Sequence, residues 1–177
     1  MLLATGCLFA RADVFTAEYT TAKKGAQVTT SVKADTYYII SGIDQSSREY
    51  YLFDNGGQVK GSASFQENSE STGAHIWTLT ANGNEWVITN VATGKNMNLG
   101  GSNGSAIKTS SSEQTNAIHF GSDGYMTILN SNGQAIDMTA NGANPTTWTG
   151  TTTPTGSRRL KIYEAEEVKS GVHKSLS

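Results

Sequence analysis

The chain has 177 residues, with 13 Lys and Arg against 15 Asp and Glu for a formal net charge of −2; one compact domain is the expectation at that length. Charged residues make up 16% and hydrophobic ones 36%, which excludes a charge-rich disordered chain and a helical membrane bundle. Without a basic stretch the sequence also lacks the clustered Lys and Arg on which nucleic-acid affinity rests.

Thr, Ser, Asn and Gly number 23, 19, 13 and 19, together 74 residues. That bias, with few strong helix formers, predicts strands joined by many turns. Three His and one Cys leave little material for a metal site or a thiol nucleophile, and no metal or cofactor is expected.

Residues 1–12 form an apolar run ending in Ala10-Arg11-Ala12, the pattern of a secretory signal cleaved after Ala12 but lacking its basic start. Ala4-Thr5-Gly6-Cys7 also reads as a lipoprotein box with Ala4 at the preferred Leu position, giving a lipid anchor at Cys7. A merely apolar N-terminus is the third reading. The expected location is secreted, or periplasmic or at the cell surface. The run is far shorter than the roughly 20 residues of a membrane-spanning helix. Residues 13–33 read as an N-terminal extension, 34–165 as the folded domain, and 166–177 as a polar tail, frayed or forming a short helix.

The domain carries one pattern three times. Tyr38-Ile39-Ile40-Ser41-Gly42 leads into Tyr50-Tyr51-Leu52-Phe53; Trp86-Val87-Ile88-Thr89-Asn90 turns through Ala92-Thr93-Gly94-Lys95 into Met97-Asn98-Leu99; Met126-Thr127-Ile128-Leu129-Asn130 turns through Ser131-Asn132-Gly133-Gln134 into Ile136-Asp137-Met138. Closing strands begin at Trp77, Ile118 and Leu160, 41 and 42 residues apart. Before each lies a polar segment with one apolar landmark: Phe65, Ile107 or Trp148. Each unit reads as four short strands with period-2 alternation. One unit cannot bury its apolar face alone, but three can close around a pseudo-threefold axis and remove their exposed edges. Propeller blades have a similar period, but three copies are too few, so the expectation is an all-β fold, a β-trefoil.

The run from Trp77-Thr78-Leu79 through Asn82-Gly83-Asn84-Glu85-Trp86 to Asn90-Val91-Ala92-Thr93-Gly94-Lys95 resembles ricin-type β-trefoil lectin repeats, and is similar to trefoil modules of secreted Bacteroidetes proteins. The resemblance spans roughly residues 34–165. It departs from the family at the Gln-x-Trp motif, where the sequence has His75-Ile76-Trp77, Asn116-Ala117-Ile118 and Arg158-Arg159-Leu160, and in lacking the family's cysteines.

The resemblance implies a shallow sugar site per repeat: an Asp accepting from two hydroxyls, an aromatic platform under the ring, and an amide contact. Carboxylates suit vicinal hydroxyls because charge-assisted hydrogen bonds are about twice as strong as neutral ones. On this basis Asp137 is the third-repeat acceptor, turned by strand alternation away from the core that Ile136 and Met138 enter. Trp148 is the platform, Asn141 and Asn144 line the loop, and Arg158 at the Gln position donates to a hydroxyl or a sugar carboxylate. The alternative is that Asp137 caps a turn, Trp148 is core and Arg158 is solvated. In the second repeat Asn98 stands for the acid, followed by Lys108. In the first, Phe53 or Asp54 takes that place, although Asp54-Asn55-Gly56 reads more simply as a hairpin turn. Tyr37, Tyr50 and Tyr51 could form a separate stacking surface.

No catalytic set emerges. A hydrolytic triad needs a base beside its nucleophile, and His75, His119 and His173 read as structural or solvated. Gly100-Gly101-Ser102-Asn103-Gly104 lacks the Lys-Ser/Thr ending of a phosphate loop. The expected function is therefore non-catalytic carbohydrate binding, with glycans or polysaccharide as partners and a monomeric state. The alternative is a trefoil scaffold with degenerate sugar sites that binds another protein, as an inhibitor or as an accessory domain of a surface complex.

Overall fold

The computed structural model describes residues 14–139 and 142–176. Residues 1–12, read above as a signal sequence, and Cys7 among them, lie outside this range, as does Asn141. After an extension strand β1 (Val14–Val28), the first repeat comprises β2 (Tyr37–Ile43), β3 (Glu49–Asp54), β4 (Val59–Ser62) and β5 (Ile76–Asn82). The second comprises β6 (Glu85–Asn90), β7 (Asn96–Asn98), β8 (Lys108–Ser110) and β9 (Thr115–Phe120); the third β10 (Met126–Asn130), β11 (Gln134–Asp137), β12 (Thr146–Thr149) and β13 (Leu160–Leu176).

First and fourth strands pair within each repeat and with the next, antiparallel throughout: β2–β5, β5–β6, β6–β9, β9–β10, β10–β13 and β13–β2. These six strands close into a ring. The second and third strands form the hairpins β3–β4, β7–β8 and β11–β12 that cap it. This is a β-trefoil. Ring closure leaves none of the six with a free edge, which answers the hazard that short polar-faced strands otherwise carry.

Each repeat sends its alternating apolar residues to one shared core: Ile40, Leu52 and Trp77; Ile88, Met97 and Ile107; Ile128, Ile136 and Leu160, all fully buried. Burial of that apolar area is the main favourable term in folding. The junction of the first two repeats is a two-residue hairpin loop between Asn82 and Glu85. Its first residue, Gly83, takes φ +62°, a conformation that primed hairpin turns demand and glycine adopts without strain.

The first hairpin turn of every repeat is held by one side chain in a matching place. Asp44 Oδ1 accepts from the amides of Ser46 and Arg48 at 2.8 and 2.9 Å; Asn90 Oδ1 from Ala92 and Thr93 at 3.1 and 3.2 Å; Asn130 Oδ1 from Asn132 and Gln134 at 3.0 and 2.9 Å. Asp and Asn suit such turns because a short acceptor reaches its own backbone two residues on. These residues fix the repeat register. Tyr51 and Asn98, third in their returning strands, match Asp137, fourth in its own, and their neighbours Tyr50 and Leu52, Met97 and Leu99, and Ile136 and Met138 are buried.

Three sequence expectations fail. Residues 166–177 were expected to fray or form a helix, but through Leu176 they continue β13, which pairs with β1 from Val14↔Leu176 to Val28↔Ile162 with two register shifts. Cross-strand pairing, invisible to local periodicity, decides this segment. Phe65, Ile107 and Trp148 are not equivalent: Ile107 is core, Phe65 packs on an outer cluster with Ile39, Tyr51 and Tyr163, and Trp148 is 47% exposed. Tyr50 and Tyr51 are buried while Tyr37 is exposed, so no tyrosine surface forms.

The ribbon of β1 and β13 is fastened to the barrel by a polar cluster. Glu49 accepts from Ser41 Oγ and the Tyr163 hydroxyl, both at 2.6 Å, with Lys161 Nζ at 3.5 Å. Lys24 Nζ donates to the Tyr51 hydroxyl at 2.6 Å and sits 4.9 and 4.8 Å from the Tyr51 and Tyr163 ring centres, within cation–π range. Burial alone would raise the Glu49 pKa, but the two hydroxyl donors and the Lys161 and Lys24 charges outweigh it and hold it below the ordinary 4.5. A depressed carboxylate contributes stability that is present above its unfolded pKa and lost as pH falls through the folded one. Thermal midpoints followed downward from pH 4.5 should therefore fall more steeply for the native protein than for Glu49→Gln; parallel curves would remove this role from Glu49.

Candidate functional site

In the third repeat β11 ends on Asp137 and β12 returns beside it, with Asp137↔Thr146 and Ala135↔Trp148 in register. Side chains two residues apart on a strand share a face, so Trp148 stands diagonally from Asp137 on the side away from the core. Asp137 is only 6% exposed. Its Oδ1 accepts from the Thr139 amide at 2.8 Å and Ser157 Oγ at 2.9 Å, and its Oδ2 from Arg158 Nη1 at 3.2 Å. Arg158 ends the 3-10 turn Gly156–Arg158 that leads into β13. Ser157 is fixed there by its carbonyl, which accepts from the Met138 amide at 2.8 Å.

These groups line an open cleft of about 300 Å³ with Trp148, Thr139 and Gln45. Gln45 comes from the first repeat, so the cleft straddles the seam between repeats one and three. Thr139 takes φ +52°, a left-handed conformation uncommon outside glycine. Beyond it, Gly142 lies against Tyr50 so closely that a Cβ would collide with the ring. Gly142 is thus held against the first repeat by contact that only glycine permits.

The structure brings Asp137, Trp148 and Arg158 together. Asn144 is placed elsewhere: it is exposed, its Oδ1 accepts from Lys60 Nζ on β4 at 2.7 Å, and it is not among the residues lining the cleft. In the second repeat Asn98 donates its amide to the carbonyls of Asn96 and Ser112 at 2.8 and 3.1 Å. Asn98 pairs with Lys108, which puts Ser110 where the third repeat has Trp148. The first repeat has Tyr51 opposite Ser62, which puts Ser64 at the platform place. Neither Phe53 nor Asp54 holds the acid position; Tyr51 does. Asp54 instead caps its turn, as the simpler expectation had it, accepting from the Gly57 amide at 3.0 Å, and also ties down Thr93 and Thr109. A carboxylate facing an aromatic is therefore found in the third repeat alone of the three.

Sequence reasoning missed Gln45, Thr139 and Ser157. Ser157 directly precedes Arg158, so its neighbourhood was already marked, whereas Gln45 reaches the cleft only through ring closure. His75 packs between Phe53 and Phe65, 5.0 and 5.7 Å away, and burial lowers its pKa. Its surroundings are aromatic and apolar rather than catalytic. Among the described residues no group of three or more His, Cys, Asp or Glu could hold a metal ion.

No family model matches the sequence, and no curated protein is similar to it. Solved structures share its fold. An endo-β-galactosidase from Clostridium perfringens that releases GlcNAcα1-4Gal superposes with a TM-score of 0.60 at 13% identity over 75% of this chain, which spans 33% of that enzyme. A ricin B-like lectin from Macrolepiota procera in complex with lactose gives 0.59 at 13% identity, covering 75% of this chain and 98% of the lectin. A designed threefold-symmetric protein, ThreeFoil, gives 0.55 at 17% identity, covering 73% and 99%. At these identities the likeness is one of fold.

Proposed function

We propose that the chain is a ricin B-like carbohydrate-binding module without catalytic activity, and that its glycan site is the third-repeat cleft. The carrying observation is that Trp148, 47% exposed, faces the same open cleft as the hydrogen-bonded Asp137–Arg158 pair. A sugar ring would lay its C–H face on the indole, which offers apolar area with a defined geometry. Its hydroxyls would meet the remaining acceptor capacity of Asp137 and the hydroxyls of Thr139 and Ser157. The lectin architecture of a solved structural neighbour and the Asn-x-x-Ser/Thr-Gly-Lys rhythm of the second repeat support the same reading. The apolar start of the sequence supports export, with the module secreted or held at the surface, and it would act as a monomer.

Trp148→Ala tests the site. Because the indole is half in solvent, the thermal midpoint should stay within about 2 °C of the native one, while affinity for any array-positive glycan drops at least tenfold by calorimetry. Retained affinity would move the site elsewhere.

One observation favours a second reading. Two of the three repeats pair a non-acidic residue with serine at the platform place, as a scaffold that has lost its sugar sites would. That scaffold would bind a protein. A glycan array silent across plant, host and bacterial sugars, with a partner captured regardless of competing free sugar, would select it.

A further inference from the structure

We propose that Arg158 makes the third-repeat cleft selective for carboxylate-bearing sugars over their neutral counterparts, an inference that rests on the carbohydrate-binding reading of that cleft. A neutral-sugar site built on a carboxylate needs that carboxylate's lone pairs free for vicinal hydroxyls. Here they are largely used. An ionised carboxylate offers about four acceptor directions, and Asp137 gives three of them to the Thr139 amide, Ser157 Oγ and Arg158 Nη1.

The donor side is the reverse. A guanidinium carries five N–H donors in a rigid fork, and among the described residues Asp137 is the one hydrogen-bond partner of the Arg158 head group. Exposure orders the two charges as well: the Arg158 side chain is 28% exposed against 9% for Asp137. An incoming ligand therefore meets the cation first, with the anion behind it already neutralised. Asp137 acts as a positioning residue, holding the fork in the cleft that Trp148 also lines. Such a fork matches a planar carboxylate with two parallel hydrogen bonds, the arrangement in which Arg outperforms Lys. The ring bearing that carboxylate would rest on the indole.

The test is a glycan array with the native protein, followed by calorimetry on two matched pairs: galactotriose against trigalacturonic acid, and lactose against sialyllactose. Preferential capture of acid-bearing glycans is expected, with at least tenfold tighter binding of the carboxylate member of a bound pair. That preference should weaken as salt rises, since an exposed charge pair is screened. Arg158→Gln should bring the pair to parity, and Arg158→Lys should restore only part of the preference. Binding confined to neutral sugars, or equal within a pair, overturns the selectivity and leaves the carbohydrate reading standing. An array with no bound glycan overturns both. If Arg158→Gln fails to fold, the matched pairs and the salt series on the native protein decide the question.

Discussion

Replacing Trp77 by alanine should destabilise the domain by about 3–5 kcal/mol, the usual cost of emptying a large aromatic site from a packed core. Trp77 is fully buried and sits where two repeats share a strand: it pairs with Tyr38 on β2 and Asn90 on β6. Its Nε1 donates to the Leu52 carbonyl at 3.2 Å, so removing it also strips a partner from a buried backbone acceptor. At the matching place the closing strands of the other repeats carry the smaller Ile118 and Leu160, so the indole is the largest of the three side chains. Since small domains are stable by roughly 5–15 kcal/mol, this loss is a large share of the whole. Urea titration would read it as a lower midpoint at unchanged slope. Trp77→Phe should cost markedly less. A loss under about 1 kcal/mol for the alanine variant would mean that the core collapses around the site.

Asp54→Ala should cost about 3 kcal/mol and leave glycan affinity untouched. The carboxylate is 6% exposed, with Thr109 Oγ1 and Thr93 Oγ1 each 2.7 Å away and the Gly57 amide at 3.0 Å. Deleting it leaves Thr109 Oγ1 and the Gly57 amide short of an acceptor at the seam between the first and second repeats, while Thr93 Oγ1 keeps Asn90 Oδ1 at 3.3 Å. An unsatisfied buried group costs about 1–3 kcal/mol; the partly exposed Thr93 pair should contribute least. At about 2–4 °C per kcal/mol for a domain this size, the thermal midpoint should drop by roughly 6–12 °C. Asp54→Asn, which keeps one acceptor, should fall between. A variant of native stability that loses sugar binding would instead make Asp54 a ligand contact.

The fold was legible because its cause is local and threefold: short alternating strands, turn residues at fixed offsets, and apolar positions returning 41 and 42 residues apart. The third-repeat acid was legible for the same reason, since Ile136 and Met138 flank Asp137 and declare which way it faces. Where inference slipped, the deciding interaction was distant in sequence. In the first repeat the acid position read as Phe53 or Asp54, with a hairpin turn as the simpler role for Asp54; the register set by the Asp44 turn hands the place to Tyr51, and Asp54 caps its turn and ties two repeats together. Trp148 and Ile107 look alike as lone apolar residues in polar segments, yet one faces solvent and the other the core. The C-terminal segment reads as polar and aperiodic, and becomes a strand because β1 lies beside it. Gln45 reaches the cleft from the other end of the domain, by closure of the ring.

The long ribbon also determines how the molecule would answer a pull. Val14 lies beside Leu176 at its far end, so tension on those two residues loads the ladder one rung at a time instead of shearing every rung at once. The two extensions should peel apart at low force, rung by rung, down to the Lys24–Tyr51 fastening, before any load reaches the sealed barrel. In an optical trap this would register as a soft, reversible lengthening ahead of one abrupt rupture. A single rupture from the native length would show that the two strands give way together with the barrel. By peeling first, the ribbon would serve as a compliant leash and spare the cleft.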